Sequence, residues 1–136
     1  MKENIDILGL EVESIEYMMS VDSTNPEIKK FMTESTNGYT RSIDAEFTGF
    51  YGYINGEYLD GTDWVPEQGF DENSRPWYID AVNAKGDTAV CPPYLDAKTG
   101  SIMISICRMF SDRDSVLSID INLDNLDVLV NDIYEE

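Results

Sequence analysis

The hydrophobic period of the chain changes near residue 46, and this change constrains the fold more than any other feature. Before it, apolar residues recur every three or four positions, which predicts an amphipathic helix over residues 4–20. These residues are Ile5, Leu8, Val12, Ile15 and Met19. After it, aromatic and branched residues alternate with small or polar ones, as in half-buried strands. Helices followed by strands predict an α+β fold.

A second helix is predicted from the stretch "STNPEIKKFMTESTNG". Asn25 is the expected N-cap, Pro26 occupies the first helical position, and Gly38 ends the helix. Residues 1–38 are therefore expected to form two helices, or one long helix with a break near residue 23.

The first strands are predicted in "EFTGFYGYINGEYLDG", where Asn55-Gly56 is a strong signal for a two-residue hairpin turn. Residues 61–73 contain glycines and a proline and are expected to form a long loop, a feature that is often functional.

A short helix is predicted after the loop. Ser74 or Arg75 caps it, Pro76 lies in its first turn, and Gly86 ends it.

The last third predicts more strands. "DTAVCPPYLDAKTGSIMISICRMF" reads as two strands around a turn at residues 96–100, and "SVLSIDINL" as another. In the latter, Leu117, Ile119, Ile121 and Leu123 face one way, while Ser118, Asp120 and Asn122 face the other. "DNLDVLVNDIYEE" predicts a closing helix.

These elements predict one domain over residues 1–136, with a helical region at 1–38 and a core that contains the strands at about 45–130. An antiparallel sheet would carry the long N-terminal helix on one face. The other face would lie under the loop and the short helix, which is a natural place for a small-molecule pocket.

The composition excludes several classes of function. A net charge of −18 disfavours nucleic acid and anionic membrane surfaces. The chain has no histidine, which removes the Ser-His-Asp and Cys-His catalytic arrangements and the usual zinc sites. No apolar run reaches the roughly 20 residues of a membrane span, and the acidic start lacks a signal peptide pattern. We expect no cofactor.

A calcium loop is suggested by the spacing Asp120, Asn122, Asp124 but is not supported further along. Asn125 stands where the loop needs glycine, and Asn131 where it needs a bidentate glutamate. We therefore expect no metal site.

The two cysteines, Cys91 and Cys107, fall on neighbouring predicted strands. They lie directly opposite each other if paired residue numbers sum to 198. A disulfide and two buried thiols both remain open at this stage.

Arg75 and Asp120 form the most informative pair. Arg75 stands at a helix N-terminus, where its guanidinium adds a bidentate fork for a carboxylate. Asp120 lies in mid-strand between isoleucines, where a buried carboxylate needs a cation. That cation is either internal (Arg75, Arg108 or Lys98) or a ligand. A ligand with both a carboxylate and an ammonium group, such as a free amino acid, would satisfy both ends.

Three stretches in order, "RPWYIDAV", "PYLDAKTG" and "SIDINLDNL", resemble Cache-type (PAS-like) extracytoplasmic sensor domains. The resemblance is to the membrane-distal half of double Cache domains with an amino-acid-binding motif. It implies a PAS-like sheet with a ligand pocket in a bacterial chemoreceptor, sensor histidine kinase or diguanylate cyclase. The second module is not in this sequence, so the chain is expected to be part of a larger transmembrane receptor.

The resemblance also implies roles for individual residues. Arg75 and Trp77 would hold the ligand carboxylate, while Tyr78, Asp96 and Asp120 would hold the ammonium group and Tyr94 would line the pocket. Phe70 stands where the family has a tyrosine, and "SDRDS" replaces a glycine-containing lead-in to the last strand.

Three alternatives remain beside an amino-acid sensor. The same fold could sense an amine, an organic acid or another small metabolite. The apolar stripe of residues 5–19 could pair with its copy in a homodimeric interaction module, with Arg75 bound to Asp120. The chain is not expected to be an enzyme, although Asp96 and Asp120 would be the paired carboxylates of one.

Overall fold

The computed structural model describes residues 2–42, 47–95, 97, 100 and 102–122. The helices are α1 (Lys2–Ser20), α2 (Asn25–Ser42) and the short α3 (Pro76–Asn83), which follows a 3-10 turn at Glu72–Ser74. The strands are β1 (Phe50–Ile54), β2 (Glu57–Asp60), β3 (Ala89–Val90), β4 (Tyr94–Leu95), β5 (Ile102–Met109) and β6 (Val116–Asn122). The predicted closing helix at 124–136 lies outside the described residues.

The helix ends differ from the predicted ones. Thr24, not Asn25, caps α2: its N–H donates to Glu27 Oε2 (3.2 Å), and the Glu27 N–H donates to Thr24 Oγ1 (3.4 Å). This reciprocal pair is a capping box. Gly38 does not end α2, because a helix interior tolerates glycine at a cost of about 1 kcal/mol. Helix α3 begins after its N-cap Arg75, as predicted, but ends at Asn83, before Gly86.

The described strands all pair antiparallel, in the order β2-β1-β6-β5-β3. Strands β3 and β4 share the outer edge of β5: β4 pairs with its first residues, and β3 pairs with residues further along it. The predicted hairpin turn is confirmed: Asn55 and Gly56 both have positive φ, +51° and +83°, as a two-residue turn of this kind requires. The turn fixes the register that places Tyr51 opposite Asp60.

The main core lies between the sheet and the two long helices. Its fully buried members include Leu8, Ile15, Phe50, Ile106 and Leu117. The apolar stripe of α1 is therefore used within the chain, and it is not free to meet a second copy as the interaction-module alternative required.

The outer edge of the sheet is interrupted between β3 and β4. Pro92 and Pro93 lack an N–H group there and cannot continue the ladder of hydrogen bonds. In β3 the paired residue numbers sum to 196 (Ala89 with Cys107) rather than the predicted 198. Cys91 therefore lies opposite Ser105, to whose carbonyl its N–H donates at 2.8 Å. Cys91 and Cys107 are free, buried thiols with their sulfurs 3.7 Å apart.

Candidate ligand-binding site

A cavity of about 290 Å³ opens on the face of the sheet that does not carry α1 and α2. Five of the seven predicted site residues line it: Phe70, Arg75, Trp77, Tyr94 and Asp120. Tyr78 is not part of this lining, and Asp96 lies outside the described residues. The strands, α3 and the loop before α3 all contribute to one site, as the sequence predicted for this face.

Asp120 lies at one end of the cavity within a cluster of hydroxyl groups. Its Oδ1 accepts hydrogen bonds from Ser105 Oγ at 2.6 Å and from the Tyr51 hydroxyl. The Tyr94 hydroxyl is hydrogen-bonded to the same Ser105 oxygen. Asp120 is buried, and Tyr51 and Tyr94 line the cavity beside it, so this end offers a carboxylate and two hydroxyl oxygens. Such a group of acceptors suits an ammonium group.

The two tyrosines of this cluster keep their protons at all ordinary pH values. Burial, and after it the negative charge of Asp120, raises the pKa of Tyr51 well above its usual range. The same two causes raise the pKa of Tyr94. Both hydroxyls are therefore neutral, and they can donate to Asp120 or accept from a ligand.

Arg75 forms the cationic part of the cavity wall. Its Nη2 donates to the carbonyl oxygen of Leu95 at 2.6 Å, and its Cζ lies 5.4 Å from the centre of the Tyr94 ring. The carbonyl and the ring fix the guanidinium beside the cavity. Because a guanidinium has five N–H donors, others remain for a carboxylate.

Trp77 belongs both to the core and to the cavity wall. It is 2% exposed and packs edge-on against Tyr51, with ring centres 5.2 Å apart. A second wall is made by three aromatic rings with centres 5.5–5.7 Å apart: Tyr58, Trp64 and Phe70.

Tyr78 points away from the cavity. Its hydroxyl donates to the carbonyl oxygen of Asp114 at 3.0 Å, and its ring packs on Tyr53. The reason is helical geometry, because consecutive residues project about 100° apart and Trp77 already faces the sheet. Tyr78 thus joins α3 to the β5–β6 turn, and the implied ammonium contact is not supported.

Of the internal partners considered for Asp120, Arg108 lies on the wrong face of the sheet. Residues 105 and 120 are directly paired and share a face, whereas Arg108, three positions along β5, points to the helices. There its Nη1 lies close to Gly9 of α1. Lys98 lies outside the described residues.

Several lining residues were missed by the sequence analysis: Thr48, Gly49, Tyr51, Tyr58, Asp60, Trp64, Ala97 and Met103. A signal for three of them was present. The two-residue turn at Asn55-Gly56 pairs Tyr51 with Asp60 and puts Tyr58 on the same face.

No described helix is long and apolar enough to cross a membrane. No cluster of three or more potential metal ligands occurs within the described part of the chain.

Solved structures show where this fold occurs. The ligand-binding domain of the Pseudomonas fluorescens chemoreceptor CtaA in complex with L-valine aligns with a TM-score of 0.71 and 22% identity, over 92% of this chain and 54% of that chain. That of the Pseudomonas aeruginosa chemoreceptor PctB in complex with L-Arg aligns with a TM-score of 0.71 and 16% identity, over 91% and 50%. The chain has the fold of chemoreceptor ligand-binding domains. The resemblance to Cache-type sensors and the α+β architecture are confirmed.

The curated relatives are also chemotaxis proteins. No protein-family model matches the chain. Methyl-accepting chemotaxis protein McpB of Bacillus subtilis is 37% identical over 86 residues, which are 62% of this chain and 13% of that protein. Methyl-accepting chemotaxis protein McpG of Pseudomonas putida is 31% identical over 100 residues, 74% of this chain and 16% of that protein. The chain thus matches only a small part of each of these methyl-accepting chemotaxis proteins.

Proposed function

We propose that this chain is the extracytoplasmic ligand-sensing module of a bacterial chemoreceptor and that it binds an α-amino acid. One observation carries the proposal: Arg75 and Asp120 line the same aromatic-walled cavity. A volume of about 290 Å³ is at the small end of ligand pockets, which suits a ligand of amino-acid size.

The two ends of the cavity match the two charges of an amino acid. Arg75, with Trp77 beside it, would hold the carboxylate through the N–H groups that do not bind Leu95. Asp120 would hold the ammonium group together with the hydroxyls of Tyr51 and Tyr94. We include Asp96 as a further ammonium contact on the basis of the resemblance. Tyr78 receives no ligand contact, because its hydroxyl is bound to Asp114.

The rest of the receptor is part of the same proposal. The chain of 136 residues would be a single module of a larger transmembrane protein, without catalytic activity of its own. Ligand binding would favour one arrangement of the helices over another, and it can shift that equilibrium only by binding one arrangement more tightly.

Calorimetry of the purified chain with the twenty amino acids tests the proposal. We expect at least one to bind, and Arg75→Ala to weaken its binding about 10- to 100-fold through loss of a charged hydrogen bond. The control is Arg113→Ala, which removes an exposed arginine in the β5–β6 turn, away from the cavity lining. The decarboxylated amine of the bound amino acid should bind poorly to the unmodified chain. Folded protein that binds no amino acid would overturn the proposal.

A further inference from the structure

A second carboxylate lines the cavity, and the proposed carboxylate and ammonium contacts do not use it. Asp60 ends β2 and is 6% exposed. A buried carboxylate is costly unless it is bound by hydrogen-bond donors or by a cation. Because Asp60 lies in the wall of the cavity, its carboxylate affects which ligand binds there.

The neighbours of Asp60 hold its carboxyl group in place through hydrogen bonds. Its Oδ1 accepts from the N–H of Thr62 at 2.8 Å and from Thr62 Oγ1 at 2.6 Å, and its Oδ2 accepts from the Tyr58 hydroxyl at 2.7 Å. A carboxylate has about four acceptor positions. These three bonds leave one on Oδ2.

The sheet register separates Asp60 from Asp120. Asp60 lies opposite Tyr51 of β1, and Tyr51 lies opposite Ser118 of β6, two residues before Asp120. The strands β2 and β6 are thus two spacings apart, about 10 Å. One ammonium group bound at Asp120 would not also reach Asp60, but a long side chain of the same ligand would.

The wall beside Asp60 also favours a cation. The rings of Tyr58, Trp64 and Phe70 lie within 5.7 Å of one another, centre to centre, and all three line the cavity. Aromatic faces attract ammonium and guanidinium groups and pack against their apolar stems.

The charges point the same way. Among the described lining residues, two carboxylates (Asp60 and Asp120) stand against one guanidinium (Arg75). An amino acid with a neutral side chain has no net charge and would leave this excess negative charge in a desolvated cavity. We propose that the ligand is a basic amino acid whose side-chain guanidinium or ammonium group binds Asp60. This inference rests on the proposed function and narrows it.

The test compares charged ligands with their neutral analogues on the unmodified chain. Calorimetry should show L-arginine binding at least about tenfold more tightly than L-citrulline, its neutral analogue, because a partly buried ion pair adds to affinity. L-Lysine should likewise bind more tightly than L-norleucine. This comparison needs no variant, so it does not depend on a substituted chain folding.

Asp60→Asn then locates the effect. It should weaken L-arginine about tenfold or more and leave L-citrulline nearly unchanged. The matched control is Asp63→Asn, an exposed carboxylate just after β2 that does not line the cavity. If neutral amino acids bind as tightly as basic ones, the inference is wrong and the proposed function stands. If no amino acid binds, both are wrong.

Discussion

The two faces of the sheet are made by alternate residues of the same strands, yet they have different chemistry. On the helix side, Phe50 and Ile119 are apolar and almost completely buried. On the cavity side, their neighbours Tyr51 and Asp120 are polar and hydrogen-bonded to each other. Since successive residues of a strand point to opposite faces, one strand contributes to stability and to binding independently.

This division suits the proposed role as a sensor. The apolar face stabilises the fold whatever the ligand. The cavity face keeps polar groups and open volume, which lower stability and are explained by binding. Substitutions on the two faces should therefore separate into effects on unfolding and effects on binding. Three variants test the separation, from the largest expected effect to the smallest.

Phe50→Ala should give the largest loss of stability. Phe50 is fully buried among core residues, with Phe47 and Tyr39 rings 5.2 and 5.9 Å away. Removing a buried phenylalanine ring leaves a cavity and costs about 3–5 kcal/mol. Urea unfolding followed by circular dichroism measures the change. A loss below about 1 kcal/mol would contradict the assignment of stability to this face.

Glu11→Gln should change how stability depends on pH. Glu11 is a buried carboxyl in α1, with Ser35 as a hydrogen-bond partner and its Oε2 otherwise unsatisfied. Burial raises its pKa from 4.5 to about 8. The unfolded chain therefore loses this proton as pH rises above 4.5, while the folded chain keeps it until about pH 8. The stability from the neutral form is fully present below pH 4.5 and is lost progressively up to about pH 8.

Unfolding at pH 5 and pH 8 measures this effect. Glutamine cannot ionise, so the variant should be more stable than the unmodified chain by roughly 2–4 kcal/mol at pH 8 and by much less at pH 5. Glu13→Gln is the control, because Glu13 is exposed on the same helix. Parallel pH profiles for Glu11→Gln and the unmodified chain would show that Glu11 is not buried in its neutral form.

Phe70→Tyr should give the smallest effect, and only on binding. Phe70 lines the cavity at the position where similar sensor domains are expected to have a tyrosine. A new hydroxyl within reach of the ligand carboxylate should tighten binding about 2- to 10-fold, the value of one hydrogen bond. Calorimetry with the amino acid and with its decarboxylated amine checks this. An equal gain for the amine would rule out the carboxylate as the partner.

The sequence predicted the main elements and five of the thirteen cavity-lining residues, because these depend on short-range patterns. Asn55-Gly56 determines its own turn and the register beside it. Arg75 is identified by its place before Pro76 at the start of a helix, and Asp120 by its alternation with isoleucines.

What could not be predicted depends on contacts across the fold. One miss was local instead, because Thr24 and Glu27 have the spacing of a capping box, and this pattern could have identified Thr24 as the N-cap of α2. The pairing of Cys91 and Cys107 differs from the predicted register because two prolines interrupt the edge of the sheet. The contact of Tyr78 with Asp114 joins residues 36 positions apart, and no local pattern signals it.

The interrupted outer edge also affects how this chain can associate with other copies of itself. β3 and β4 contain two residues each, with Pro92 and Pro93 between them. A neighbouring chain finds no continuous row of N–H and C=O groups there on which to add a strand. The two prolines therefore also make this edge a poor template for strand addition by a second copy of the chain.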